Sequence, residues 1–137
     1  MKLGLVFLSL VFGLSLTGGC ASTTNKATTV QAKTHYDIAI ATLNTGDGRG
    51  ALRELLTAIE LDPELPEAHN ALGLVYHSLR HLKEGLEHYN KALALRPSFS
   101  EVHNNRGILL VDLGRYDEAI LSFQSAIDDI LYRTPSL

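Results

Sequence analysis

Six histidines and a single cysteine are the residues of this 137-residue chain whose types could do chemistry. Three of the histidines, His35, His69 and His103, recur at a spacing of 34 residues. On equivalent helices standing about 8–10 Å apart, three such rings cannot share one metal at ligand distances of about 2 Å. They are better placed to fill space between paired helices. His77 and His81 have the i,i+4 spacing of a helical metal pair, but His81 falls at a helix break and no H-E-x-x-H pattern accompanies them. Structural or solvated histidine is the expectation, with no metal and no cofactor. No glycine-rich phosphate loop, G-x-S-x-G elbow or paired-carboxylate pattern occurs, and Asp128-Asp129 reads as a solvent face or the start of a turn. A non-enzyme without a small-molecule substrate is expected.

Bulk properties point the same way. The chain is 45% apolar and 20% charged, an ordinary globular composition for one domain. Its formal net charge is -3, so it has no basic excess to follow a phosphate backbone, and nucleic acid is not an expected partner. One cysteine excludes an internal disulfide framework. Its position matters more than its number.

Residues 1–19 read as an address. Lys2 supplies a positive start, Leu3 to Leu16 an apolar run, and Thr17-Gly18-Gly19 a small-residue processing site before Cys20. The run would make a helix of about 21 Å, short of the hydrocarbon core of about 30 Å, so a permanent transmembrane anchor is not expected. Leu16-Thr17-Gly18-Gly19-Cys20 resembles the lipobox of bacterial lipoproteins, with Leu16 one place further from the cysteine than in the commonest form. An ordinary signal peptide is the alternative. The resemblance implies that Cys20 becomes the lipidated N-terminus, and Ala21 after it, where retention at the inner membrane goes with Asp, implies the outer membrane. Residues 20–31, small and polar, read as a lipidated cysteine on a flexible tether spanning about 17–20 Å.

From Ala32 the chain repeats. Residues 32–65, 66–99 and 100–133 each predict a helix pair, with a first helix near Lys33–Asn44 and a second near Gly50–Leu61 in the first unit. Under a shift of 34, Gly73 lands on Gly107, Ala92 on Ala58 and Ala126, and Pro97 on Pro63. Such a period marks a stacked-repeat protein. Leu72-Gly73, Tyr76, Tyr89, Ala92 and Pro97 match the tetratricopeptide pattern, with His69 where tryptophan is common. Gly73 and Ala92 are expected where paired helices approach closely. The fold class is thus all-α: a tetratricopeptide-repeat α-solenoid of about three helix pairs behind a lipoprotein signal peptide. In the third unit Arg106 replaces an apolar residue, and Pro135 arrives late, predicting a lengthened last helix.

Thr134-Pro135 in residues 134–137 reads as the start of another helix. Ile120, Phe123, Ile127 and Ile130 have no later segment to cover them. Further repeats, or a borrowed cap, are expected.

Binding is expected on the concave face, lined by the first helices. Tyr36, Asn70 and Asn104 form one row, Ile40, Leu74 and Ile108 a second, and Leu43, His77 and Val111 a third. The first two rows lie four residues apart, on one helical face. An amide row beside an aliphatic row could bond a partner's backbone and take its side chains. Burial of the aliphatic row against the next repeat is the alternative. Basic residues of the kind that clamp carboxylate tails are missing from the face.

A lipobox, a polar leash and tetratricopeptide repeats, together with Leu131-Tyr132-Arg133-Thr134-Pro135, resemble the outer-membrane lipoproteins of type IV pilus biogenesis, the PilW/PilF-type pilotins. The resemblance implies a protein partner, the secretin subunit, a membrane anchor at Cys20, and about twice as many repeats. An envelope scaffold recruiting other partners, such as peptidoglycan enzymes, is the alternative.

Overall fold

A computed structural model describes residues 21–133 and the side chains of residues 26–131. The expected leader, Cys20 and Thr134-Pro135 lie outside the described residues. Six helices follow in order: α1 (Ala21–Asn44), α2 (Gly48–Leu61), α3 (Pro66–Ser78), α4 (Leu82–Leu95), α5 (Ser100–Asp112) and α6 (Tyr116–Arg133). α1 packs with α2, α3 with α4 and α5 with α6, while α2 meets α3 and α4 meets α5. This is the expected all-α solenoid of three helix pairs.

Local chemistry sets the element ends. Asp62 and Arg96 precede prolines and take extended backbone as the C-caps of α2 and α4, because a following proline disfavours the α region. Leu65, before Pro66, is likewise extended at the start of α3. Within each pair the chain reverses through a left-handed residue, Gly46 (φ 85), Arg80 (φ 63) and Gly114 (φ 72), at the 34-residue period. Glycine adopts that conformation freely, whereas Arg80 does so at a cost of about 1–2 kcal/mol.

One expectation is corrected and another is narrowed. α1 starts at Ala21, not near Lys33, so the segment read as an irregular tether is helical wherever it is described. Nucleating a helix is costly and extending one is not, so a polar stretch joined to a packed helix continues it. Among the described side chains of α1, Ala32 is the first to be buried, and Thr34 Oγ1 donates back to the Val30 carbonyl at 3.0 Å. Of the two readings of Asp128-Asp129, the turn does not form, because α6 runs through it for 18 residues against 14 in α2 and α4, while Asp128 is exposed as a solvent face requires. Asp129 instead faces His103, at 3.9 Å.

The core is two clusters, one around Leu55, Leu72 and Val75 and one around Tyr89, Leu109 and Leu110. Each pair closes by seating a large residue of its second helix on a small residue of its first. A Cβ at Gly73 would stand 2.4 Å from Tyr89 Cε1, and one at Gly107 would stand 2.5 Å from Phe123 Cε1. Both helices approach because glycine leaves room for the ring. In the first pair Ala39 and Leu55, both fully buried, hold the corresponding positions.

Candidate protein-binding face

The first helices form one wall, with α3 touching both α1 and α5. Leu74, Ile108 and Val111 stand out from it at 40%, 46% and 43% exposure. Ile40 and Leu43 instead pack partly on the core of the first pair. The aliphatic row is therefore open over α3 and α5 and covered in part at α1. Single exposed aliphatics are ordinary, but a run of them across adjacent helices marks a contact surface.

The polar row does not form the matched amide pair expected from the sequence. Asn70 is 6% exposed, and its Nδ2 donates to Glu101 Oε1 at 2.9 Å. Its Oδ1 accepts from Asn105 Nδ2 at 3.3 Å. Both ends of that amide are used to tie α3 to α5. Asn104, with the same spacing, is exposed and borders a cleft of about 430 Å³ with Phe123, Ala126, Ile127 and Ile130 on the open side of the last pair. Asn104 thus stays open where Asn70 is closed.

Tyr36 is half-buried beside a notch of about 360 Å³ lined by Thr29, Lys33, Leu65 and Glu67. Burial first, then Glu67, Glu101 and Asp37, raise its hydroxyl above the ordinary tyrosine value. These carboxylates are the site residues that sequence reasoning missed. The positions 33, 67 and 101 form a further row at the same period.

His77 also turns inward to its neighbours. Its Nε2 donates to Asp112 Oδ2 at 2.8 Å, as does Arg80 Nη1 at 2.8 Å. The bond from His77, then Arg80, holds the Asp112 carboxyl below the usual carboxylate range. His77 therefore links α3 to α5 and shows little of itself to a partner.

The three periodic histidines bond either across their own pair or back to the loop before it. His35 Nδ1 meets Glu54 Oε2 at 2.7 Å, and His103 Nε2 donates to the Pro97 carbonyl at 2.9 Å. His69 Nε2 must donate to the Pro63 carbonyl, 3.0 Å away, which leaves its Nδ1 as the acceptor in the neutral ring. His88 Nδ1–H then donates to His69 Nδ1 at 3.0 Å, and Tyr76 stacks on His88 at 5.4 Å. Protonating both rings would set two N–H groups against each other. Burial lowers the pKa of both: His69 falls below 6.5, and His88, repelled also by His69, falls to about 4.

This pair makes stability depend on pH. The unfolded chain takes up protons near 6.5 that the folded pair refuses, so stability is complete above that value and falls as pH drops from about 6.5 towards about 4. At about 1.36 kcal/mol per pKa unit the loss is at most about 3 kcal/mol, and solvent at the half-buried rings reduces it to about 1–2 kcal/mol. Urea unfolding at pH 7.5 and 5 should show that loss, and His88→Phe, which keeps the stack on Tyr76, should remove most of it. An equal pH slope in the variant would place the titration elsewhere.

The second helix of the last pair carries a further apolar face, with Ile120 at 64% exposure. Ile120, Phe123 and Ile127 repeat the positions by which Leu86, Tyr89 and Leu93 join the core of the preceding pair with α5. Among the described residues no helix is long and apolar enough to cross a membrane.

The fold and this wall define a class. The TPR repeat family matches residues 45–79, and the tetratricopeptide repeat family matches residues 66–99 and 88–121. The chain is a tetratricopeptide-repeat protein, and its fold is that of a protein-binding scaffold. It resembles the type IV pilus assembly protein PilF of Pseudomonas aeruginosa, with 32% identity over 139 aligned residues, covering 96% of this chain and 54% of that protein. The solved structure of Pseudomonas aeruginosa PilF superposes with a TM-score of 0.71 at 31% identity, over 77% of this chain and 48% of that one. The chain thus spans about half the length of the PilF relative it matches. The second repeat domain of RPAP3 (Spaghetti), solved with the HSP90 peptide SRMEEVD, superposes with a TM-score of 0.74 at 19% identity, over 77% of this chain and 96% of that one. At that identity it speaks for the fold alone.

Proposed function

We propose that this chain is a non-enzymatic lipoprotein that binds a protein segment on its concave wall and assists the assembly or outer-membrane localisation of the type IV pilus secretin. The observation that carries the reading is the similarity to PilF across nearly the whole chain. The exposed aliphatic row of Leu74, Ile108 and Val111 agrees with it, because it offers a partner a ready apolar contact. In this reading Cys20 carries the lipid and holds the protein at the periplasmic face of the outer membrane. Confining binder and target to one surface raises their effective concentration without any new contact.

The test is to replace Cys20 with alanine in cells and count secretin multimers in outer-membrane fractions. Multimers should fall by about tenfold or more, the scale on which lost tethering acts. Helical content of the variant should not change. Multimers at the normal level would rule out the tether mechanism.

A further inference from the structure

The two ends of the solenoid present the two halves of one interface. Inside the chain each second helix is covered by the first helix of the next pair, α2 by α3 and α4 by α5. On the second-helix side the contact comes from Leu52, Leu55 and Ile59, and again from Leu86, Tyr89 and Leu93. On the first-helix side Ala68, Ala71, Leu72 and Val75 of α3 join the first of these groups. At the end of the array α6 carries Ile120, Phe123 and Ile127 at the same positions, and Ile120 and Ile127 are exposed. At its start α1 carries Thr34, Asp37, Ile38 and Ala41 where α3 has its contact residues, and all four are exposed. Ile38, the counterpart of the fully buried Leu72, is 45% exposed.

Two further features match these ends to each other. α6 has 18 residues where α4 has 14, with the excess at its C-terminus. α1 has 24 where α3 has 13, with the excess at its N-terminus. Successive helices joined by short loops run antiparallel, so an α1 laid on α6 brings the two extra lengths side by side. One of them exposes Leu131, at 63%, and the other Val30, at 61%.

The polar positions match as well. At the internal junction Asn70 donates to Glu101 and accepts from Asn105. The counterpart of Asn70 at the end of the array is the exposed Asn104. The counterparts of Glu101 and Asn105 on α1 are Lys33 and Asp37. An asparagine amide has both a donor and an acceptor end, so Asn104 serves this pair turned over, donating to Asp37 and accepting from Lys33. Lys33 then also faces Glu101, which lines the same cleft as Asn104.

We propose that this chain binds a second copy of itself head to tail, with α1 of one copy laid on α6 of the other as α5 lies on α4. Ile38 of one copy then covers Phe123 of the other as Leu72 joins Leu55, and Val30 meets Leu131 where the longer helices overlap. The two faces differ, so the contact is heterologous, and copies add in a row unless their rotation closes a ring. The concave row of Leu74, Ile108 and Val111 takes no part, so the inference does not depend on what that row holds. One helix pair buries less than the ~800 Å² per partner of a stable complex, so the association is expected to be weak and concentration-dependent.

The experiment places Thr34→Cys and Ile127→Cys, both at exposed positions, in the purified full chain and joins them with a short bis-maleimide linker. Chains carrying both cysteines should give a ladder of dimers, trimers and longer species. Mixing the two single variants should give a dimer, and neither alone should exceed the level that Cys20 gives in the parent chain. Ile38→Asp should lower the joined fraction by about tenfold or more, because it sets a charge in the apolar seam. Lys33→Glu should lower it by about two- to fivefold, the scale of a surface charge pair. The urea midpoint of both variants should stay where it is, since both residues are exposed in the single chain. Linking by Ile127→Cys alone would show a symmetric contact between two α6 helices and overturn the head-to-tail arrangement. No linking above the parent level, the result if another segment or another protein covers α6, overturns self-association. A ladder that Ile38→Asp and Lys33→Glu leave unchanged overturns the seating of α1 on α6.

Discussion

Tyr89→Ala is expected to destabilise the folded chain by about 3–5 kcal/mol, the range for removing a buried aromatic ring. That is a large share of the roughly 5–15 kcal/mol that holds a domain together. Tyr89 is fully buried and heads the second core cluster, between α3, α4 and α5. Its ring lies on Gly73, where even a methyl group would stand 2.4 Å away. The glycine that faces the ring has no side chain with which to fill the cavity.

The phenol oxygen contributes little of this. It is buried with no hydrogen-bond partner among the described residues, so Tyr89→Phe should be neutral or slightly stabilising. Gly73→Ala should lose about 1–3 kcal/mol through overpacking, offset by about 1 kcal/mol of helix propensity. Equilibrium unfolding in urea measures all three. A loss for Tyr89→Phe comparable to that for Tyr89→Ala would show that the hydroxyl, not the ring, holds the pair together.

Asn70→Ala and Asn104→Ala are expected to differ sharply, although the two residues occupy equivalent positions. The first should cost about 1–3 kcal/mol of stability, because it strips a buried amide and leaves Glu101 and Asn105 without their partner. The second changes an exposed side chain and should stay within about 0.5 kcal/mol. A double-mutant cycle between Asn70 and Glu101 should give a coupling of about 0.5–3 kcal/mol. If Asn70→Ala left stability unchanged and weakened only partner binding, the amide would face a ligand and not α5.

That contrast shows where sequence reading reaches and where it stops. The helix pairs were legible because their causes are local. Pro63 and Pro97 end helices by steric conflict with the preceding residue. The small-and-large seating of Gly73 with Tyr89 and Gly107 with Phe123 recurs at a fixed spacing. Both lie within one repeat, so the period displays them directly. The tether was misread because helix propagation depends on the packed helix downstream, and the polar composition of Ala21–Gln31 does not report it.

The binding wall was legible only in outline. Periodicity placed Leu74 and Ile108 on the first helices, and they are exposed there. It also set Asn70 equal to Asn104, and His77 equal to Val111, which the tertiary structure separates. Glu101 reaches back from α5 to take Asn70, and Asp112 does the same for His77 and Arg80. Residues with equal spacing have unequal neighbours, because each repeat meets a different surface on either side. The sequence alone determined that this is a solenoid of helix pairs, since steric size and proline act within one repeat. Only the tertiary structure decided which concave residues are spent joining repeats and which stay open, since those bonds run between side chains 31 to 35 residues apart.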